Sequence, residues 1–234
     1  PDPARQTLQA VLVEVPHRLP PQPPRPRWGR SELHTSMMVP FTVWMIMEKN
    51  EILDSIKVPL QSVRQTKTFS CGNAALRSIF QYYGVGPEEE KKFIAMMNSN
   101  ERDGTLPAHI VVTAREYGLC VKQRHNLTIP KLKKILDQER PVICPIQAYG
   151  SKRYYDKHQS GHYVVAIGYD KENIYFEDPV LKGRRGYLSY EDFNDRWHDK
   201  DANGTLYDHY GIIIWKEGDH KHNAAYLMKA RKIA

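Results

Sequence analysis

Long apolar runs are missing from this chain of 234 residues. None approaches the ~18 consecutive apolar residues that a membrane-spanning helix requires. The best candidate, Met37 to Met47, is shorter and is interrupted by Pro40. Cysteine is scarce, with only Cys71, Cys120 and Cys144. An odd, low count argues against a disulfide framework and for a reducing compartment. No CxxC or HExxH is present, which argues against a structural zinc or a zincin site. The absence of GxxxxGK[ST] and GxGxxG removes the usual nucleotide-binding readings. The N-terminus lacks the charged-then-apolar pattern of a secretory signal, so a cytoplasmic location is expected.

What is present describes a globular chain. Hydrophobic residues make up 41% and charged residues 26%, enough to bury a core. The net charge of +7 is modest and its basic residues are scattered, apart from a short cluster between Lys229 and Lys232. This reads as a solubilising surface, and no nucleic-acid partner is expected. Proline is unevenly placed: eight of the 16 fall within residues 1–26. Such a stretch favours extended polyproline conformation and marks 1–36 as an arm or linker, with a docking partner as the alternative to a plain spacer.

From about Leu60 the pattern becomes regular. Ala75, Leu76, Ile79, Phe80 and Tyr83 share one helical face over 72–83, and Gly84 supplies a stop. Pro87 with three glutamates opens a second helix through Met97. Thr105 with Pro107, and Thr128 with Pro130, predict two more helix starts. The period then changes to two: Val142–Ile146, Tyr163–Tyr169, Ile174–Glu177 and Tyr207–Trp215 read as strands, and Ser189 caps a short helix through Trp197. Helices first and strands second is an α+β order, with helices packed on an antiparallel sheet.

Three segments carry chemistry. Cys71 stands at the start of the first helix, where free N–H groups and the helix dipole favour a thiolate. Gly72 keeps side-chain bulk away from the sulfur. His162, between Gly161 and an apolar strand, offers an imidazole at a sheet edge that can take the thiol proton and return it to a leaving amine. Asp178 closes the next strand and can fix that imidazole, although Asp-Pro is also a common turn starter. A hairpin centred on Asp170 sets residues 162 and 178 opposite each other. Centring it one residue later offsets them, and a bulge is then needed to aim both inward. Gln65 can donate its amide to a developing oxyanion together with the Cys71 N–H; alone it reads as a surface loop residue. Cys120 and Cys144 lie in apolar runs and read as structural thiols. His109, His158 and His198 lack a comparable frame. Tyr149, Tyr154, Tyr155 and Trp197 are groove candidates that equally suit a core or rim.

In this order, Gln65-x5-Cys71-Gly72-x-Ala74-x-Leu76, Gly161-His162-Tyr-Val-Val and Asp178-Pro179 resemble the bacteriocin-processing, double-glycine leader peptidases, which are papain-like cysteine peptidases. The resemblance covers about residues 58–215. It implies a papain-like fold with Cys71 as nucleophile, His162 as general base and acid, Asp178 as orienter and Gln65 in the oxyanion hole. Gly186-Tyr-Leu-Ser189 and Asp192-Phe193 resemble the segment after the family's catalytic Asp. Typical members are fused to transporter regions; this sequence contains neither a membrane span nor an ATP-binding region and resembles stand-alone relatives.

The expected organisation is an arm over 1–36, an apolar connecting segment over 37–57, a papain-like peptidase domain over 58–217 and a basic tail over 218–234. The expected substrate is a peptide leader or specific protein, with no metal or organic cofactor needed. An acyltransferase or transglutaminase-type enzyme, and a non-catalytic peptide-binding module, are the alternatives.

Overall fold

The computed structural model describes residues 52–218, 222–227 and 229–233. The proline-rich arm and most of the apolar connecting segment lie outside the described residues. The elements run α1 (Cys71–Tyr83), α2 (Glu90–Met96), α3 (Pro107–Glu116), β1 (Cys120–Arg124), α4 (Ile129–Leu136), β2 (Val142–Gln147), α5 (Lys152–Tyr155), β3 (Gly161–Tyr169), β4 (Asn173–Glu177), β5 (Arg185–Ser189), α6 (Tyr190–Arg196), β6 (His198–Lys200), β7 (Leu206–Asp208), β8 (Gly211–Trp215) and β9 (Ala230–Lys232). The main sheet has the order β1-β8-β2-β3-β4-β5-β9, and β6 pairs with β7 in a second, small sheet. Every pairing is antiparallel except β5 with β9. The α+β architecture expected from the sequence is therefore present.

Alternation along the strands gives the sheet two buried faces. Val165 and Ile167 of β3 join Leu76, Ile79 and Phe80 of α1, Phe93 of α2 and Ile110 of α3 in one apolar cluster. Val164 and Ala166 join Leu132 and Leu136 of α4, and Phe193 and Trp197 at α6, in another. Trp197 is a core residue here, packed on Phe193 with ring centroids 4.4 Å apart, and Tyr155 is also buried. Of the aromatic groove candidates, Tyr149 and Tyr154 alone stay exposed.

Helix starts follow the sequence grammar with two shifts, one of them the start of α2 at Glu90 rather than Pro87. Ser189 accepts a bond from Asp192 N and caps α6, as its type and position require. Leu106, not Thr105, occupies the position before α3. Thr105 is instead buried in a polar cluster with Asn73 and Ser99, which claims its hydroxyl. The run Tyr207–Trp215 divides into β7 and β8, because His209 adopts a positive φ of 43° and Tyr210 turns into the core.

Both flanks of the 58–217 span join the sheet. Ile56 bridges Gly168, and Lys57 N and Val58 N both donate to Ile167 O at 2.9 Å. At the other end β9 extends the sheet from β5, and Lys232 Nζ lies 2.6 Å from Asp192 Oδ2. Part of the basic cluster is thus a strand. Arg185, fully buried, ties these flanks together: it pairs with Glu177 and donates to Leu60 O and Ala225 O, each at 2.7 Å.

Candidate active site

Cys71 is the first residue of α1, and its sulfur meets three donors. The imidazole of His162 and the backbone N–H groups of Tyr163 and Gly72 lie beside it and favour its thiolate. The Tyr163 donor is available because β4 pairs with β3 only from Val165 onward. Burial alone raises a thiol's pKa, but His162 and these amides outweigh it and hold Cys71 below its ordinary value. Cys144 shows the contrast: it is buried with no imidazole beside it, the Ala166 amide and Trp197 do not offset burial, and its thiol is pushed up. Cys120 is also raised, by burial and by Glu217.

His162 is 4% exposed, and its Nε2 lies 2.9 Å from Asp178 Oδ1. That leaves Nδ1 for the sulfur. Burial disfavours the imidazolium, yet the bonds to Asp178 and Cys71 raise the His162 pKa well above its usual range. A lowered thiol beside a raised imidazole describes a thiolate–imidazolium pair. Asp178 is buried too and also accepts from Val180 N at 2.9 Å, so its carboxylate is fixed from two sides.

The register explains why His162 and Asp178 meet. β3 and β4 pair Gly168 with Tyr175 and Tyr169 with Ile174, then slip by one to pair Ala166 with Phe176 and Val165 with Glu177. Continuing the second register sets Asp178 across from Val164, offset by two from His162 but on its side of the sheet. Without the bulge, Asp178 would face the other side. The offset branch of the parity argument therefore holds. The bulge is stabilised from outside the hairpin, since Lys57 and Val58 satisfy the extra carbonyl at Ile167.

Gln65 lies in the loop before α1. Its Nε2 donates to Lys67 O at 2.9 Å and Thr68 O at 3.3 Å, while Oε1 is buried without a hydrogen-bond partner. Both amide protons are thus spent within the loop. Gln65 N also donates to Pro179 O at 3.1 Å, which ties this loop to the Asp178 segment. Glu90 braces the loop from α2, accepting from Ser70 Oγ at 2.6 Å and Thr66 N at 3.0 Å. Burial raises the Glu90 carboxyl, but those bonds and Arg77 prevail and lower it.

The reason for Gly72 differs from the expectation. A Cβ there would stand 2.7 Å from Thr105 Cβ, so the absent side chain lets α1 pack on the Thr105 segment. The three competing histidines are held elsewhere: His158 and His198 contact each other at 3.1 Å, and His109 Nδ1 lies 2.6 Å from Met97 O. Sequence reasoning did not find the Tyr163 amide, the Glu90 brace or Asp199, which lies beside Gly161. None carries a motif, because each acts through tertiary placement.

A cavity of about 300 Å³ opens beside the sulfur, lined by Phe69, Cys71, Thr105, Gly161, His162 and Asp199 among others. Tyr149 packs against His162, with ring centroids 5.6 Å apart. Among the described residues no group of three or more His, Cys, Asp or Glu is placed to hold a metal ion, and no helix is long and apolar enough to cross a membrane.

The pattern that defines the Peptidase_C39-like family matches residues 55–203. Among solved structures, the peptidase domain of Streptococcus ComA, a bi-functional ABC transporter involved in quorum sensing, is similar with a TM-score of 0.51 at 22% identity. That match covers 68% of this chain and 98% of the domain. A protein of Bacillus anthracis described as a C39-like peptidase is similar with a TM-score of 0.53 at 16% identity, covering 70% of this chain and 98% of the other. At these identities the likeness speaks to the fold. No curated protein matches the chain.

Proposed function

Because the chain belongs to the Peptidase_C39-like family, we propose that it is a cysteine peptidase that cleaves a peptide leader or a specific protein through Cys71, His162 and Asp178. The observation that carries this reading is the buried hydrogen bond of His162 with Asp178 beside Cys71, whose thiol His162 lowers, at the mouth of a cavity.

The Cys71 thiolate attacks the scissile carbonyl carbon and forms a C–S bond, and the carbonyl electron pair moves to oxygen. Free N–H groups at the start of α1 face that charge. The intermediate collapses as the C–N bond breaks, and the His162 imidazolium gives its proton to the departing amine. A thioester remains. Neutral His162 then takes a proton from water, the resulting hydroxide attacks the thioester, and the thiolate leaves with the acid product. Asp178 keeps Nε2–H donated to itself, so that Nδ1 faces the sulfur and the imidazolium is stabilised in both half-reactions. Gln65 contributes to the oxyanion side by turning its amide from the Lys67 and Thr68 carbonyls when substrate binds.

The test is a proteomic cleavage screen comparing the protein with Cys71→Ala and His162→Ala. Each substitution is expected to abolish every cleavage that the unaltered chain makes. Cleavage that survives Cys71→Ala contradicts the reading.

A further inference from the structure

One carboxylate beside the sulfur has no part in the proton transfers above. Asp199, on β6, lines the same cavity as Cys71 and His162. Its approach depends on Gly161, since a Cβ at that glycine would stand 2.6 Å from Asp199 Oδ2. The carboxylate is therefore held one residue from His162. Gln147 fixes it from β2: Nε2 donates to Asp199 Oδ1 at 2.8 Å, while Oε1 accepts from Ser160 N at 3.0 Å.

Among the described residues, no other carboxylate, lysine or arginine around the cavity forms an ion pair with Asp199. Asp103 is paired with Arg102 at 2.8 Å. Asp201 accepts from Asn203 N and Thr205 N, each at 2.9 Å, and from Tyr207 Oη at 3.1 Å. Lys200 follows Asp199 on β6 and also lines the cavity, but it is exposed and among the described residues makes no ion pair with Asp199. Asp199 is left as a rigidly held anion that feels the His162 imidazolium but, among the described residues, pairs with no lysine or arginine, at the wall of the cavity that a substrate chain would enter. Burial raises its pKa to about 6 against the bonds from Lys200 N and Gln147, so it is charged above neutrality.

We propose that Asp199 is a specificity-determining residue that accepts the lysine or arginine side chain of a substrate residue flanking the scissile bond. This deepens the peptidase reading, on which it rests for the identity of the reacting sulfur.

Two methanethiosulfonate reagents of similar size, one ending in trimethylammonium and the other in sulfonate, test the site without a substrate. In both cases the Cys71 sulfur attacks the sulfenyl sulfur, forms a mixed disulfide and releases methanesulfinate. The ratio of the two rates at pH 7.5, read by mass spectrometry of the Cys71 peptide, cancels the thiolate fraction. The cationic reagent is expected to be favoured, and Asp199→Asn is expected to lower the ratio roughly fivefold, as one charge within several ångströms of a partly exposed site implies. Asp199→Asn keeps the acceptor for Gln147, and Asp199→Glu, which keeps the charge, should retain the preference. A ratio unchanged by Asp199→Asn overturns the subsite while leaving the peptidase reading intact. Proteolysis that survives Cys71→Ala overturns the peptidase reading, and the labelling ratio still decides the subsite, because these reagents modify any accessible thiol.

Discussion

Asp178 reaches His162 Nε2 at 2.9 Å because the β3–β4 ladder slips by one residue between Ala166 and Gly168. The slip is enforced by chain distant in sequence. Ile56 and Ser55 lie against Gly168 so closely that a Cβ there would stand 2.1 Å from Ser55 O. The geometry of the proposed triad is thus set partly by a segment that touches none of its members.

Gly168→Ala tests that link. The methyl group must displace backbone, which costs about 1–3 kcal/mol by the scale of overpacked sites. The variant should melt several degrees lower, and its turnover should fall as the register and the Asp178 carboxylate shift. Unchanged melting and turnover would show that the segment merely rests on the bulge.

The Glu177–Arg185 pair gives a second test. Both partners are buried, and Arg185 also binds Leu60 O and Ala225 O. Removing one partner strands a charge, so Glu177→Gln should cost about 3–5 kcal/mol in denaturant unfolding. The double variant Glu177→Leu/Arg185→Met should recover much of that loss, since neither charge then remains. A double variant as unstable as the sum of the two singles would contradict this view of the pair.

Gln65 separates loop support from oxyanion binding. Its amide serves the Lys67 and Thr68 carbonyls without substrate. Loss of one oxyanion donor costs roughly 100-fold or more in turnover. Gln65→Ala should show that loss while Cys71 alkylation stays nearly unchanged. Equal losses in both would assign Gln65 to holding the loop alone.

Much of this was legible in the residues. The 3.6 period over 72–83 and the glycine at 84 located α1 and placed Cys71 at its first position. The strands carrying His162 and Asp178 followed from alternation, and the parity argument reduced their meeting to a choice of register. Other features were not legible for physical reasons. β5 and β9 are short, β9 is mostly basic, and their pairing joins residues far apart in sequence. β1 has only its first residues half-covered, so it shows no apolar alternation strong enough to read. Thr105 has the chemistry of a cap, but the buried cluster with Asn73 and Ser99 outcompeted that local use. Gly72 looked like clearance for a substrate, whereas the space belongs to Thr105.

The central claim is that His162 holds Cys71 as a thiolate. It is measured most directly by the pH dependence of iodoacetamide alkylation, followed separately at Cys71, Cys120 and Cys144. Cys71 lies below its ordinary pKa, so its thiolate should persist as pH falls past the range where free thiols protonate. The account predicts that at pH 6.5 Cys71 reacts far faster than the other two. His162→Ala removes the two strongest influences that lower Cys71 and leaves burial, which raises it, so the rate at that pH should collapse. Alkylation of Cys71 that rises only near pH 8.5–9, as for an ordinary thiol, and is unaffected by His162→Ala would contradict the account.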